Sequence, residues 1–226
     1  MYDFIDFVNT IISIYGANHA ADQTSEKVSI SAGNRKMGGV PSVSLPPVIT
    51  CAANAPCVKK CYARKICRYS KQAKNAYERN LRILQTRPVS YWAQVYQAAA
   101  TTRYFRYHVS GDIPNNEYMA AMVALAKALP TTEFLAFTKR YGIVNNYINA
   151  FGELPANLHI LFSRWNAEWD VTIRNPYDLP MSAVIFKGDD INRYEKVCPG
   201  NCSKCACRGT GCWTLAKGEI IAFLEH

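Results

Sequence analysis

Residues 133–138, with the sequence EFLAFT, decide the fold of this chain. They form an almost wholly apolar run, and three similar runs accompany it: Arg103–Val109, Leu158–Phe162 and Ser182–Phe186. Strands that are buried on both faces are continuously apolar, whereas half-exposed strands alternate. The four runs start 30, 25 and 24 residues apart, which is the spacing of βα units. The pattern therefore predicts a parallel sheet.

The segments around these runs supply the remaining elements. Apolar residues at helical spacing and a proline at a first helical position predict four helices, at 71–85, 88–100, 116–129 and 141–151. Three further strands are predicted at 28–31, 42–45 and 218–224. These strands are too few for a closed eight-stranded barrel. We therefore expect an α/β fold that is an incomplete or open βα barrel, with a doubly wound parallel sheet as the alternative.

The length of 226 residues and the 49% hydrophobic content indicate one globular domain. We divide it into a lead-in (1–27) with an amphipathic helix over Phe4–Tyr15, a βα core (28–197) and a Cys-rich C-terminal segment (198–226). The start carries Asp3 and Asp6 but no basic residue, unlike a secretory signal. No apolar run approaches the roughly 20 residues of a membrane span. We expect a cytoplasmic protein without membrane contact.

Nine cysteines lie in two groups. The first is Cys51, Cys57, Cys61 and Cys67, and the second is Cys198, Cys202, Cys205, Cys207 and Cys212. A reducing cytoplasm disfavours disulfides, so such clusters indicate soft-metal ligands. An iron–sulfur cluster of the 4Fe-4S type takes four cysteines, or three with one iron left open. We expect one or two such clusters, held by Cys51, Cys57 and Cys61 and by Cys198, Cys202, Cys205 and Cys212.

Zinc is the main alternative metal. Cys202 and Cys205 have the two-residue gap of a zinc knuckle, and two four-cysteine sites would use eight of the nine thiols. Knuckles normally occur in pairs, however, and the first group has no two-residue gap. Free structural thiols are the third alternative.

The net charge of +9 is confined to one segment. Residues 59–87 hold ten basic residues and a single acid, Glu78. Such a segment favours nucleic acid through phosphate neutralisation, or an anionic metal–thiolate centre nearby. A solvated helix face explains it equally well. Tyr62, Tyr69 and Tyr77 are interleaved with the charges, where they could stack on bases or serve as core contacts.

Polar residues follow the four apolar strands. They include Ser110, Gly111 and Asp112 after the first, Lys139 after the second and Lys187 after the fourth. In parallel α/β folds the ligand site lies at the carboxyl ends of the strands. We therefore expect Asp112, Lys139 and Lys187 to line a cavity and to orient a small or nucleic-acid substrate. An ordinary turn with a helix cap is the simpler explanation of Ser-Gly-Asp.

Several short motifs together resemble the phage "gene product eighty-eight" family of phage and bacterial proteins. They are Gly33-Asn34-x-Lys36, Ser42-x-Ser44-Leu45-Pro46, Cys57-x3-Cys61-Tyr62-Ala63, Asn80-Leu81, His108-Val109-Ser110-Gly111-Asp112 and Cys212-Trp213. The combination is specific, and it extends from about Ser29 to Trp213. For a phage-encoded protein the expected location is the cytoplasm of the bacterial host.

That family is distantly similar to radical-SAM barrels. The similarity implies that Cys51, Cys57 and Cys61 hold a cluster whose open iron binds S-adenosylmethionine. It also implies that Ser110, Gly111 and Asp112 hold the amino group of that cofactor, and that the C-terminal cysteines form an auxiliary cluster. The spacing departs from the radical-SAM pattern, because Arg64 stands where a third ligand is due.

We therefore expect an iron–sulfur protein, either a divergent radical-SAM-like enzyme or a redox enzyme. The alternatives are a zinc protein that binds nucleic acid through residues 59–87 and a structural phage component in which metal only staples the fold.

Overall fold

A computed structural model of the protein describes residues 26–225. The amphipathic helix predicted for Phe4–Tyr15 lies outside the described residues. Within them the chain is a mixed α/β structure built on one sheet of eight strands. The strands are β1 Ile30–Ser31, β2 Ser42–Val43, β3 Tyr104–Tyr107, β4 Glu133–Thr138, β5 Leu158–Ser163, β6 Met181–Ile185, β7 Lys196–Val197 and β8 Ile220–Leu224.

The sheet is mostly parallel and open. Its strand order is β1-β2-β3-β4-β5-β6-β8-β7, and only the pairing of β1 with β2 is antiparallel. From β2 to β6 each strand lies beside the next one in the chain, as the regular spacing of the apolar runs predicts. β1 and β7 form the two edges, so the sheet does not close within residues 26–225.

Seven α-helices connect the strands in the described part of the chain. They are α1 Tyr62–Tyr69, α2 Lys71–Thr86, α3 Pro88–Ala100, α4 Asn116–Ala128, α5 Tyr141–Phe151, α6 Ala167–Asp170 and α7 Cys202–Arg208. Short 3-10 helices cover Pro56–Lys60, Ile191–Arg193 and Gly211–Trp213. No described helix is long and apolar enough to cross a membrane.

The two faces of the sheet are covered by different parts of the chain. Alternate strand residues such as Phe134 and Ala136 join the buried side chains of α2 to α5 in one large core. The residues between them, such as Leu135, join a second core with Met37, the C-terminal cysteines and Trp213. We call this second side of the sheet the inner face.

The C-terminal segment contributes a strand to the sheet. Its last apolar residues form β8, which lies between β6 and β7 and pairs in parallel with both. Its cysteine-rich part packs on the inner face, where the ring of Trp213 contacts the ring of Tyr104, with 4.9 Å between the ring centres. The Tyr104 hydroxyl also donates to the Ala206 carbonyl, at 2.9 Å. The fold thus places the second cysteine group against the middle of the sheet.

Candidate metal centre

Three cysteines of the first group share one neighbourhood beyond the carboxyl end of β2. Burial, together with the charges of Asp112, Cys57 and Cys61, raises the pKa of the Cys51 thiol to about 11. Burial also raises the pKa of the Cys57 thiol, with Cys61 again contributing. We call Cys51, Cys57 and Cys61 the upper thiol set.

A strained loop presents Cys51. Val48 has a φ of 73°, a left-handed conformation that is a real outlier for a β-branched residue. In this conformation the Val48 N–H donates to the Cys51 sulfur, at 3.3 Å. Strain of this kind persists only where the surrounding structure imposes it, and it is concentrated at functional sites. A backbone donor aimed at the sulfur favours the thiolate form that metals bind.

The upper thiol loop rests on the turn that follows β3. Gly111 has a φ of 83°, and a Cβ at this position would lie 2.6 Å from Thr50 Oγ1 and 2.8 Å from the Leu45 carbonyl oxygen. Only glycine allows the two loops to approach so closely. The Asp112 N–H donates to Thr50 Oγ1 at 3.2 Å, which ties the turn to the residue preceding Cys51.

Asp112 is buried, and both of its carboxylate oxygens accept hydrogen bonds. Its Oδ1 accepts from Thr138 Oγ1 at 2.6 Å and from the Ile113 N–H at 2.7 Å, and its Oδ2 accepts from the Lys139 N–H at 2.9 Å. These bonds join the ends of β3 and β4. This carboxylate has 6% exposure and three protein donors, so it serves to hold the strand ends, and its role as the amino-group ligand that the radical-SAM similarity implies stays a prediction. Binding of S-adenosylmethionine stays a prediction.

The other predicted residues at the strand ends are only partly brought together. Lys139 adjoins Asp112, and its charge opposes the rise in the pKa of Cys57. Its ammonium lies 5.7 Å from the centre of the Trp165 ring. Ser110 is buried, and its Oγ has no hydrogen-bond partner among the described residues. Lys187 is exposed, and no described contact links it to Asp112 or Lys139.

Four cysteines of the second group form another set, on the inner face. Burial raises the pKa of the Cys212 thiol, and Cys198, Cys202 and Cys205 raise it further. Cys205 and Cys212 are buried. The Cys198 sulfur accepts from the Gly200 N–H at 3.4 Å, a second backbone donor directed at a sulfur. We call Cys198, Cys202, Cys205 and Cys212 the lower thiol set.

Two cysteines, Cys67 and Cys207, are not assigned to either set. Cys207 is exposed on α7, although it is only two positions from the buried Cys205. Cys67 lies on α1, and the charges that affect its pKa are those of Cys61, Glu78 and Lys74. The assignment of the other seven cysteines as metal ligands stays a prediction.

Arg106 of β3 is a candidate site residue that the sequence reasoning missed. Its Nη1 lies 3.6 Å from the Cys202 sulfur and 3.1 Å from the Met37 sulfur, and its guanidinium lies 4.8 Å from the centre of the Phe137 ring. Its Nε is buried without a partner, and no ion pair of residues 26–225 involves it. A charge within an apolar strand was the signal that could have revealed it.

The described residues supply candidate thiol ligands but do not form a complete metal coordination sphere. All nine cysteines are free, and no group of three or more His, Cys, Asp or Glu side chains in residues 26–225 is arranged to hold a metal ion. The donor chemistry nevertheless fits a soft metal. In each set the thiols influence one another's pKa, a backbone N–H donates to one of the sulfurs, and a cation also acts on a thiol.

Comparison with known proteins identifies the family. The model of the Gene product 88 family matches residues 16–178, which is well over half of the 226 residues. The chain therefore belongs to the Gene product 88 family. The matched span contains the upper thiol set and Asp112 but ends before the lower thiol set. No curated protein matches the chain, and no solved structure does.

Proposed function

We propose that this member of the Gene product 88 family is an iron–sulfur protein, with one 4Fe-4S cluster on each thiol set. The observation that carries the proposal is the unpaired guanidinium of Arg106 beside the lower thiol set. It lies on the inner face with sulfur atoms and an aromatic ring as its neighbours. A positive charge in that position is stabilised by a negative charge nearby.

The energetics favour an anionic metal–thiolate centre as that anion. Taking a charge out of water costs several kcal/mol unless a counter-charge and good hydrogen bonds compensate. Neutral thiols and a thioether compensate poorly, because they are weak acceptors. A cluster ligated by four thiolates carries net negative charge and accepts N–H···S hydrogen bonds that set its potential. Arg106 would thus stabilise the bound cluster electrostatically.

The upper thiol set suits a cluster with one open iron. It offers three sulfurs, the number that leaves one coordination position free for a ligand. It lies at the carboxyl edge of parallel strands, where α/β folds hold their ligands. Lys139 lies beside it, as does the Asp112 carboxylate, which accepts hydrogen bonds from protein donors. When bound, such clusters supply one-electron chemistry. The residues of this chain would position the cluster, stabilise its negative charge and shield it from water.

This arrangement supports a redox or radical-type activity on a barrel-like sheet related to radical-SAM enzymes. The four helices α2 to α5 share one core on one face of the sheet, as in a βα barrel and unlike a doubly wound sheet. Tight zinc binding is the rival outcome, because Cys202 and Cys205 keep the knuckle spacing.

The test is spectroscopic. Protein purified without oxygen should be brown, and after reduction it should give the electron paramagnetic resonance signal of a 4Fe-4S cluster. A colourless, signal-free protein, or one that carries zinc instead of iron, overturns the proposal.

The chain offers matched controls for ligand assignment. Cys57→Ser should weaken the signal of the upper cluster, whereas Cys67→Ser, in the same segment, should not. Cys205→Ser should remove the lower cluster, whereas Cys207→Ser, two residues away, should leave it intact.

A further inference from the structure

The most exposed aromatic side chain of residues 26–225 lies in the basic segment 59–87. Tyr69, the last residue of α1, is 90% exposed, and Ile66 is 41% exposed. Together with Tyr62 these residues have helical spacing and form one stripe along α1. Ala63 is the only buried residue of this helix. Single exposed apolar residues are ordinary on protein surfaces, but a stripe ending in a projecting ring is not explained by folding.

The cations beside this stripe form no ion pair with an acid of the described residues. Lys65 and Arg68 are exposed on α1 one helical turn apart, and Lys59 and Lys71 flank the helix. The ion pairs of residues 26–225 that involve the basic segment use Lys60, Lys74, Arg82 and Arg87 instead. The surface around Tyr69 therefore keeps its positive charge available to a ligand.

The helix that carries the ring is anchored at both ends. Ser70, which follows it, caps α2 by accepting from the Ala73 N–H at 3.2 Å. At the other end of α1 the Tyr62 hydroxyl donates to the Val109 carbonyl, next to Ser110. The helix thus extends from the candidate site at the strand ends to the projecting ring.

We propose that α1 and its flanking residues bind single-stranded nucleic acid, with a base stacked on Tyr69 and phosphates neutralised by Lys65 and Arg68. Aromatic rings interleaved with cations are the usual platform for unpaired bases, since every base presents a π-face. A duplex keeps its bases stacked and offers no face to Tyr69. An acidic protein would use the cations but gains less from an isolated ring. This proposal holds whether or not the protein carries a cluster.

The test measures the anisotropy of a fluorescein-labelled oligothymidylate with the full chain. We expect binding at low salt that weakens steeply as salt is added. Tyr69→Ala should weaken binding roughly fivefold to a hundredfold, and Tyr69→Phe should bind like the parent because it keeps the ring.

The charge variant has its own matched control. Lys65→Gln with Arg68→Gln should reduce the slope of log affinity against log salt by about one to two units. Arg103→Gln with Lys127→Gln removes the same charge from exposed positions in other parts of the fold and should leave binding nearly unchanged.

Three outcomes overturn the proposal. The first is no binding even at low salt. The second is equal loss in the two charge variants, which would indicate diffuse attraction by the net charge. The third is competition by polyglutamate as effective as that of the unlabelled oligonucleotide, together with normal binding by Tyr69→Ala, which would indicate a surface for an acidic protein.

Discussion

The Nη1 of Arg106 lies 3.6 Å from the sulfur of Cys202 on the inner face of the sheet. One residue comes from β3 and the other from the first turn of α7, 96 positions later in the chain. The pair joins the regular βα part of the molecule to its cysteine-rich end. No carboxylate neutralises this guanidinium among the described residues, and under the proposal made above the metal-bound lower thiol set would supply the counter-charge.

Replacing Arg106 should separate metal binding from folding. In Arg106→Met we expect the lower thiol set to bind iron roughly 10- to 100-fold more weakly, as happens when outer-shell partners of metal sites are removed. The metal-free protein should lose no stability, since an uncompensated, partly buried charge has been removed. Metal titration and urea unfolding of the apoprotein measure the two effects. Arg103→Met, at an exposed position, is the control. Parental iron affinity in Arg106→Met would contradict this role.

Gly111→Ala should disturb the upper thiol loop. The added Cβ would lie 2.6 Å from Thr50 Oγ1 and 2.8 Å from the Leu45 carbonyl oxygen, at a φ of 83°. Gly188→Ala is the matched control, because Gly188 has a φ of 98° and open space around it. We expect the control to lose about 1–2 kcal/mol through backbone strain alone, and Gly111→Ala to lose about 1–3 kcal/mol more through overpacking. Equal losses in chemical denaturation would refute the close approach of the loops.

Asp112→Asn should destabilise the protein although it hardly changes the side-chain volume. An amide can present only one acceptor oxygen, so at least one of the donors Thr138 and Lys139 would lose its partner in a buried position. We expect a loss of about 2–4 kcal/mol in the free energy of unfolding. Asp189→Asn, at an exposed residue that accepts from the Phe186 N–H, should lose less than about 1 kcal/mol. A similar loss in both variants would show that Asp112 does not hold the strand ends together.

His108 should make the protein sensitive to mild acid. Burial, together with the charge of Arg106, lowers its pKa from 6.5 to about 3, while its Nε2 bonds to the Tyr118 hydroxyl at 3.0 Å. Between these two values the unfolded chain binds a proton that the folded protein excludes. The contribution of His108 to stability is therefore complete above the unfolded pKa and declines by up to about 1.4 kcal/mol per pH unit below it.

His108→Asn tests this directly. Asparagine tolerates the left-handed backbone of this position, whose φ is 57°. The variant should be less stable at neutral pH but should lose less stability than the parent between about pH 6.5 and about pH 5. Parallel pH profiles for the two proteins would contradict a neutral, buried imidazole.

The elements with strong local patterns could be predicted from the sequence. The predicted bounds of β4, α3 and α5 agree with the structure, because each has a long apolar pattern and clear breaks. The helix α1 was not predicted, because it is short and its apolar spacing, at Tyr62, Ile66 and Tyr69, falls on an exposed stripe rather than on a buried face. The insertion of β8 between β6 and β7 depends on contacts between distant segments, which local patterns do not specify.

The candidate site was predictable to a similar degree. Cysteine spacing predicted the seven residues of the two thiol sets, because short gaps keep sulfurs on one loop or turn, and their role as metal ligands stays a prediction. Lys187 was expected beside Asp112 and is instead exposed, since the direction of a loop after a strand is not encoded in its position. Arg106 was not predicted as a site residue, because its proximity to Cys202 depends on a contact between residues that are remote in the chain.

The most direct test of the two thiol sets as iron–sulfur sites is the content of iron, zinc and acid-labile sulfide in protein purified without oxygen. We predict about eight irons and about eight sulfides per chain for two complete clusters, and about half of each in a Cys57→Ser, Cys61→Ser variant or in a Cys205→Ser, Cys212→Ser variant. Zinc in place of iron, or iron and sulfide contents near zero in the unaltered protein, would contradict the account.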